Sequence, residues 1–273
     1  LNNYFNRSGY IADFEESLTM FNQLHKFIRC NKPDIRKALS KSNLFKCELL
    51  EKNGSRISMN DWLTEYISGV SEKHINDQFC TLYKSEPISM DDLEISNEEK
   101  EMLIGLIRKK KRAVNILFYG EPGTGKSELA KSLAARTKKE IYIINNKDNE
   151  KSSDLKRAII ATSNILDPDN SIILVDEADD LLNTRFSYLL SGEGNSKSWI
   201  NTFLDENKHK IIWITNGSTY IESSTMRRFA FSMEFRKFNI KKKVNAFQYQ
   251  LKKYGLNNYF SDDELKTMSR RYS

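Results

Sequence analysis

From residue 114 onward, short apolar runs alternate with stretches whose apolar residues recur at helical spacing. That alternation predicts strands at 114–119, 141–144, 171–176, 211–215 and 231–235, and helices at 126–137, 153–165 and 196–206. Short buried strands separated by helices imply an α/β fold, with a parallel sheet flanked by helices on both faces. A basic helix follows at about 240–253 and closes at Gly255. Another starts at Ser261, where Glu264 completes a capping box.

The pattern differs before residue 96. Apolar residues at helical spacing around Phe14 to Ile28, and again near Pro33 to Leu39, predict helices. In "FKCELLEKNGSRISM", Asn53-Gly54 lies between two short β-capable runs and signals a tight hairpin, because both residues tolerate positive φ. With a further helix at "MNDWLTEYI", this order suggests a winged-helix-like unit. "TLYKSEPISMDDLEIS" reads as a linker. Ser96 and Glu99 then form a capping box for a helix ending in Arg108-Lys109-Lys110-Lys111-Arg112, where cations suit a helix C-terminus.

Charge refines this division. Residues 1–95 carry 12 Lys and Arg against 14 Asp and Glu, a balance of −2; the remaining residues carry 31 against 23, a balance of +8. The acidic balance weighs against DNA reading by the N-terminal region, so a small protein-docking domain is preferred. The basic part suits a polyphosphate ligand, an acidic partner surface or nucleic acid. No apolar run approaches the roughly 20 residues of a membrane span. The first ten residues, "LNNYFNRSGY", hold neither an initiator Met nor a signal-peptide pattern, which suggests a fragment. Cys30, Cys47 and Cys80 are odd in number and widely spaced, as expected of reduced thiols in the cytoplasm.

Two segments carry the chemistry. Gly120-Glu121-Pro122-Gly123-Thr124-Gly125-Lys126-Ser127 fits G-x-x-x-x-G-K-[ST] between a predicted strand and helix, with Glu128 next. Glycines let backbone N–H groups turn toward phosphates. Lys126 reaches the β- and γ-phosphates, and the Ser127 hydroxyl takes a place on Mg²⁺. Downstream, "SIILVDEADDLL" puts Asp176 at a strand's carboxyl end, where a carboxylate holds Mg²⁺, usually through water. Glu177 is placed to orient and deprotonate a water, which marks a hydrolase rather than a kinase. Asp179 and Asp180 are expected to cap the following helix.

"VDEAD" also invites a DEAD-box helicase reading. The next strand argues otherwise, since "IIWITNGS" stands where such helicases show Ser-Ala-Thr. Asn216 at its tip can hydrogen-bond a γ-phosphate or the attacking water; a turn-forming Asn before Gly217 is the alternative. Next, "IESSTMRRFAFSMEF" presents Arg227-Arg228 just before an alternating strand. In this order and spacing, residues 114–237 resemble the AAA+ ATPase superfamily, a P-loop NTPase fold. They look closest to bacterial AAA ATPases with an N-terminal helical region.

The resemblance implies ATP and Mg²⁺ as cofactors, with Lys126, Ser127, Asp176, Glu177 and Asn216 acting in cis. Arg228 is implied as the finger acting on a neighbour's nucleotide, and Arg227 as its helper. Many relatives separate two such fingers by Pro-Gly, so the division between these adjacent arginines stays open. Protein-threading relatives carry an aromatic loop after the second strand. Here "NNKDNEKSSD" is polar, and Phe186 and Tyr188 lie elsewhere.

The expected organisation is a helical N-terminal domain at 1–95, a nucleotide domain at 96–237, and a partial helical lid at 238–273. No sensor-2 arginine is assignable within that lid. The expected protein is a cytoplasmic ATPase, a homo-oligomeric ring (a hexamer by resemblance) that remodels a macromolecule. Its partner is expected to be a protein, substrate or adaptor, met through residues 1–95, with no membrane involved. A nucleic-acid motor or initiator is the alternative. A nucleotide-gated docking module is disfavoured because Glu177 and Asn216 are both present.

Overall fold

The computed structural model describes residues 14–15, 31, 33–34, 50–53, 56–59, 75–93, 95–145, 152–185, 195–256 and 259–271. The chain divides into two compact units, residues 1–82 with 142–167 and residues 83–141 with 168–273. The described strands form a three-stranded sheet and a six-stranded, mostly parallel one. Flanked by helices, the latter is the α/β P-loop NTPase architecture.

In the first unit, β1 (Phe14–Glu15) and β2 (Leu50–Asn53) both pair antiparallel with β3 (Arg56–Met59). The expected hairpin is present, with Asn53 opposite Arg56. Phe14 and Glu15, expected to open a helix, instead extend along Ile57 and Arg56. Partners distant in sequence override local periodicity there. Asn31 accepts the Asp34 amide at 2.9 Å on its side-chain oxygen, at the start of the helix expected near Pro33. The rest of the helices at 14–28 and 33–39, and "MNDWLTEYI", lie outside the described residues.

Helix α1 (Ile75–Phe79) leads into β4 (Cys80–Leu82), which runs antiparallel to β6 (Glu140–Ile144) with Cys80 opposite Ile144. The first residues of the expected linker are therefore a strand. Asn145 ties this corner: its amide donates to Asp77 O at 2.9 Å, its side-chain oxygen accepts from Thr81 Oγ1 at 2.7 Å, and its backbone N–H reaches Phe79 O. Helix α4 (Ser152–Ile165) packs on α1.

The second unit carries β5 (Val114–Gly120), β7 (Ser171–Val175), β8 (Lys210–Thr215) and β9 (Phe231–Phe235), paired in parallel in the order β7-β8-β5-β9. Every residue of β7 and β8 is buried, as helices on both faces demand, whereas β9 alternates like an edge. Helix α2 (Asn97–Arg108) begins at the predicted Ser96–Glu99 capping box, and α3 (Lys126–Thr137) has its predicted bounds.

A buried side-chain amide sits inside this apolar sheet. Asn115 on β5 donates to Leu204 O at 2.9 Å and accepts from Trp213 Nε1 at 3.3 Å and Asn207 Nδ2 at 3.2 Å. A buried amide so satisfied costs little and fixes register. At the amino-terminal edge of the strands, fully buried Lys210 donates to Pro168 O at 2.9 Å, and Lys139 donates to Asp169 O. Part of the basic surplus is thus internal bracing.

The remaining helices are α5 (Asp179–Leu182), α6 (Asn195–Glu206), α7 (Ser223–Met226), α8 (Ile240–Lys253) and α9 (Asp262–Arg271). The last two pack on each other. Ser261 and Glu264 form the second predicted capping contact.

Candidate functional site

The parallel strands β5, β7 and β8 end at one edge, and the chemistry-bearing residues gather there. Gly120, Gly123 and Gly125 take φ of 130°, 73° and 91°, so the loop leaving β5 winds through conformations that side chains resist. Gly120 is required for space as well. A Cβ there would stand 2.0 Å from the carbonyl oxygen of Phe235 on β9. Gly125 is the N-cap of α3, which points the helix's amide end into the loop. Thr124 donates its hydroxyl to Glu121 O at 2.7 Å and closes the turn.

Lys126 is 6% exposed, and its Nζ donates to Gly120 O at 2.6 Å and Glu121 O at 2.8 Å. Burial lowers its pKa, while Asp176, Asp179 and Glu121 oppose that shift. Ser127 donates its hydroxyl to Asp176 Oδ2 at 2.7 Å. The two expected Mg²⁺-side groups therefore meet, one from the helix after the loop and the other from the end of β7.

Glu177 has φ of 52°, a left-handed conformation that a glutamate adopts only when its surroundings hold it. Its amide donates to Asp176 Oδ1 at 3.0 Å, and the next amide, Ala178 N, donates to Ile214 O on β8 at 2.8 Å. These bonds fix the turn and leave the Glu177 residue exposed. A cavity of about 280 Å³ is bordered by Lys126, Ser127, Asp176, Glu177, Asp179 and Asn216. A larger cleft of about 560 Å³ touches Gly123–Gly125 and Glu128, with Ile88, Phe235, Phe238 and Tyr249 among its apolar walls. Glu128 accepts the Ile88 amide at 2.8 Å, and Ser132 donates to Ile88 O at 2.6 Å, so the segment before α2 is pinned to α3.

Asp179 does not cap α5, whose N-cap is Ala178 without a side-chain cap. Its carboxylate instead accepts the Asn216 amide N–H at 2.9 Å and the Asn216 side-chain Nδ2 at 3.2 Å. The tip of β8 lies beside the start of α5, and a two-point carboxylate contact there outcompetes a cap within its own helix. Asp180 lies exposed in the same first turn. Sequence spacing held one hint: two acids follow Glu177 where a single cap would serve.

Arg227 and Arg228 are not among the residues bordering the 280 Å³ cavity. Arg228 lies against α6: its Nε donates to both Asp205 oxygens at 3.0 Å, Nη2 approaches Oδ2 at 2.9 Å, and Nη1 donates to Ser224 O. Two further contacts bind α7 to the same helix. Thr225 donates to Asn201 Oδ1 at 2.9 Å, and Lys197 pairs with Glu222. Lys197, Asn201 and Asp205 recur every four residues, one face of α6, so three successive turns hold Glu222, Thr225 and Arg228. Arg227 ends α7 with its residue exposed. Phe186, Tyr188 and residues 146–151 lie outside the described residues.

Residues 116–237 match the model of the family "ATPase family associated with various cellular activities (AAA)". Among curated proteins, the chain is 34% identical over 106 residues to "Replication factor C subunit 4" of Encephalitozoon cuniculi, covering 37% of this chain and 34% of that one. It is 36% identical over 85 residues to "Holliday junction branch migration complex subunit RuvB" of Mycoplasmopsis synoviae, covering 31% and 25%. To "Spastin" of Naegleria gruberi it is 27% identical over 127 residues, covering 42% and 24%. It spans about a quarter to a third of these relatives. A chain from the solved structure "Structure of E. coli MS115-1 HORMA:CdnC:Trip13 complex" aligns at 17% identity and a TM-score of 0.49, covering 72% of this chain and 82% of that one.

Proposed function

Residues 116–237 belong to the AAA+ ATPase superfamily, and from that premise we propose that the chain hydrolyses ATP with Mg²⁺ at the interfaces of a homo-oligomeric ring, remodelling a macromolecular partner. The observation that carries this is the Ser127–Asp176 hydrogen bond beneath a glycine loop that ends on a helix N-terminus. The donor set fits the cofactors: hydroxyl and carboxylate oxygens suit a hard divalent cation, and inward-turning amides suit phosphates. Mg²⁺ when bound neutralises charge on the β- and γ-phosphoryl oxygens.

The chain's own groups do the rest. Lys126, already desolvated, exchanges loop carbonyls for phosphate oxygens. Glu177, held at a fixed turn, takes the proton of an attacking water. Asn216 aligns that water or the γ-phosphate, and Arg228, with Arg227 beside it, adds positive charge at a neighbouring subunit's nucleotide. Residues Gly120, Glu121, Pro122, Gly123, Thr124, Gly125 and Glu128 complete the binding loop. The 560 Å³ cleft beside Gly123 takes the nucleoside.

In this reading residues 1–95 dock a protein, 96–237 turn over nucleotide, and 238–273 begin a lid, in the cytoplasm. A nucleic-acid partner is the second reading, supported by the name of the Holliday-junction relative. Calorimetry and phosphate release test the core reading together. Glu177→Gln should keep ATP affinity within a few-fold and lose nearly all turnover, whereas Lys126→Ala should lose binding itself. Wild-type phosphate release by Glu177→Gln refutes the assignment.

A further inference from the structure

Among the described basic side chains beyond the loop, Arg228 is held in a way its neighbour Arg227 is not. Its guanidinium offers five N–H groups. The Nε and one Nη2 hydrogen go to the Asp205 carboxylate, at 3.0 and 2.9 Å, and one Nη1 hydrogen goes to Ser224 O. A side-on carboxylate and a carbonyl fix the plane of the group. Two of the five N–H groups are left beyond these contacts, and the side chain is 20% exposed. The grip comes from the last of three rungs that bind α7 to α6.

We propose that Asp205 is a positioning residue for Arg228: it sets the orientation in which the outer edge of the guanidinium meets a neighbouring subunit's γ-phosphate. This rests on the reading of Arg228 as a finger acting in trans. An arginine side chain has several freely rotating bonds. Holding one rotamer before assembly removes an entropy cost that would otherwise fall on the transition state. Asp205 touches no reacting atom. Its effect should appear in turnover and not in the nucleotide affinity of its own subunit.

The test uses the full chain and four variants. Arg228→Ala should bind ATP nearly normally and lose roughly 10³-fold or more in turnover. Asp205→Ala should bind ATP equally well and lose about 10²-fold, the scale of a misplaced catalytic group. Asp205→Glu should recover most of that loss, because a carboxylate again faces the guanidinium. Mixing Asp205→Ala with Lys126→Ala should restore turnover that neither has alone, since intact sites then meet intact arginines.

Wild-type turnover by Asp205→Ala beside an inactive Arg228→Ala overturns the inference alone. Loss of ATP affinity in Asp205→Ala, with no rescue on mixing, assigns Asp205 a purely structural role and overturns it too. Wild-type turnover by Arg228→Ala fells the finger reading, and this inference with it.

Discussion

Asn216 and Asp179 show how a single side chain's role is decided by what faces it. Asn216 sits at the end of β8 with both its backbone and side-chain N–H groups on the Asp179 carboxylate. The residue borders the cavity together with Lys126 and Glu177. Replacing Asp179 with Ala releases the Asn216 side chain and leaves every residue of the phosphate loop in the sequence. Turnover should fall about 10²-fold while ATP affinity changes little, and Asp179→Asn, which keeps one acceptor, should fall less. Isothermal titration beside steady-state phosphate release distinguishes this from a loss of binding, which would place Asp179 in the nucleotide site itself. The residues of the loop and of β7 were legible in sequence because their chemistry is contiguous. Asp179's was not: its partner lies 37 residues away.

Elements long enough to show a period were read within a residue or so: α3, α4, α6, β8 and β9 all fall where apolar spacing puts them. The two-residue β1, the three-residue β4 and the four-residue α5 and α7 are too short for any period to register. They exist because distant partners hold them. Helix α7 illustrates this, for its rungs to α6 include Glu222 under Lys197. The hydrogen bond from Lys197 holds the Glu222 carboxyl below the ordinary glutamate value, with its positive charge and the Ser224 hydroxyl adding to the shift. A depressed carboxylate stabilises the fold fully above its unfolded pKa, and that stabilisation is lost as pH falls through the lower folded value. Thermal melts of Glu222→Gln should therefore lose part of the acid sensitivity that wild type shows from about pH 5 downward. Parallel melting curves for the two proteins would remove the rung.

Across the whole molecule, charge is unevenly divided, and the division bears on partners. Residues 1–95 balance at −2, so the N-terminal region should not bind duplex DNA with steep salt dependence. Titrating DNA into the full chain and into a variant lacking 1–72 checks this. A salt slope that vanishes on truncation would move nucleic acid to that region. The basic remainder spends Lys139 and Lys210 on the loop before β7, so its formal +8 overstates the charge offered to a polyanion. The strand β9 has a consequence of a different kind. Its start is fastened by Ala230 N to Asn115 O and its end lies opposite Gly120, so the eight residues from Arg228 to Phe235 act as a ruler laid along β5. One mark on that ruler is the arginine, the other the first glycine of the phosphate loop, and neither end can slide. Adding a single residue after Ser232 would turn the following side chains to the opposite face and carry Phe235 off Gly120. The same insertion after Lys237, beyond the last mark, changes no spacing. Turnover should vanish in the first case and survive in the second, and equal activity of the two insertions would show that distance along this edge is not what the sheet measures.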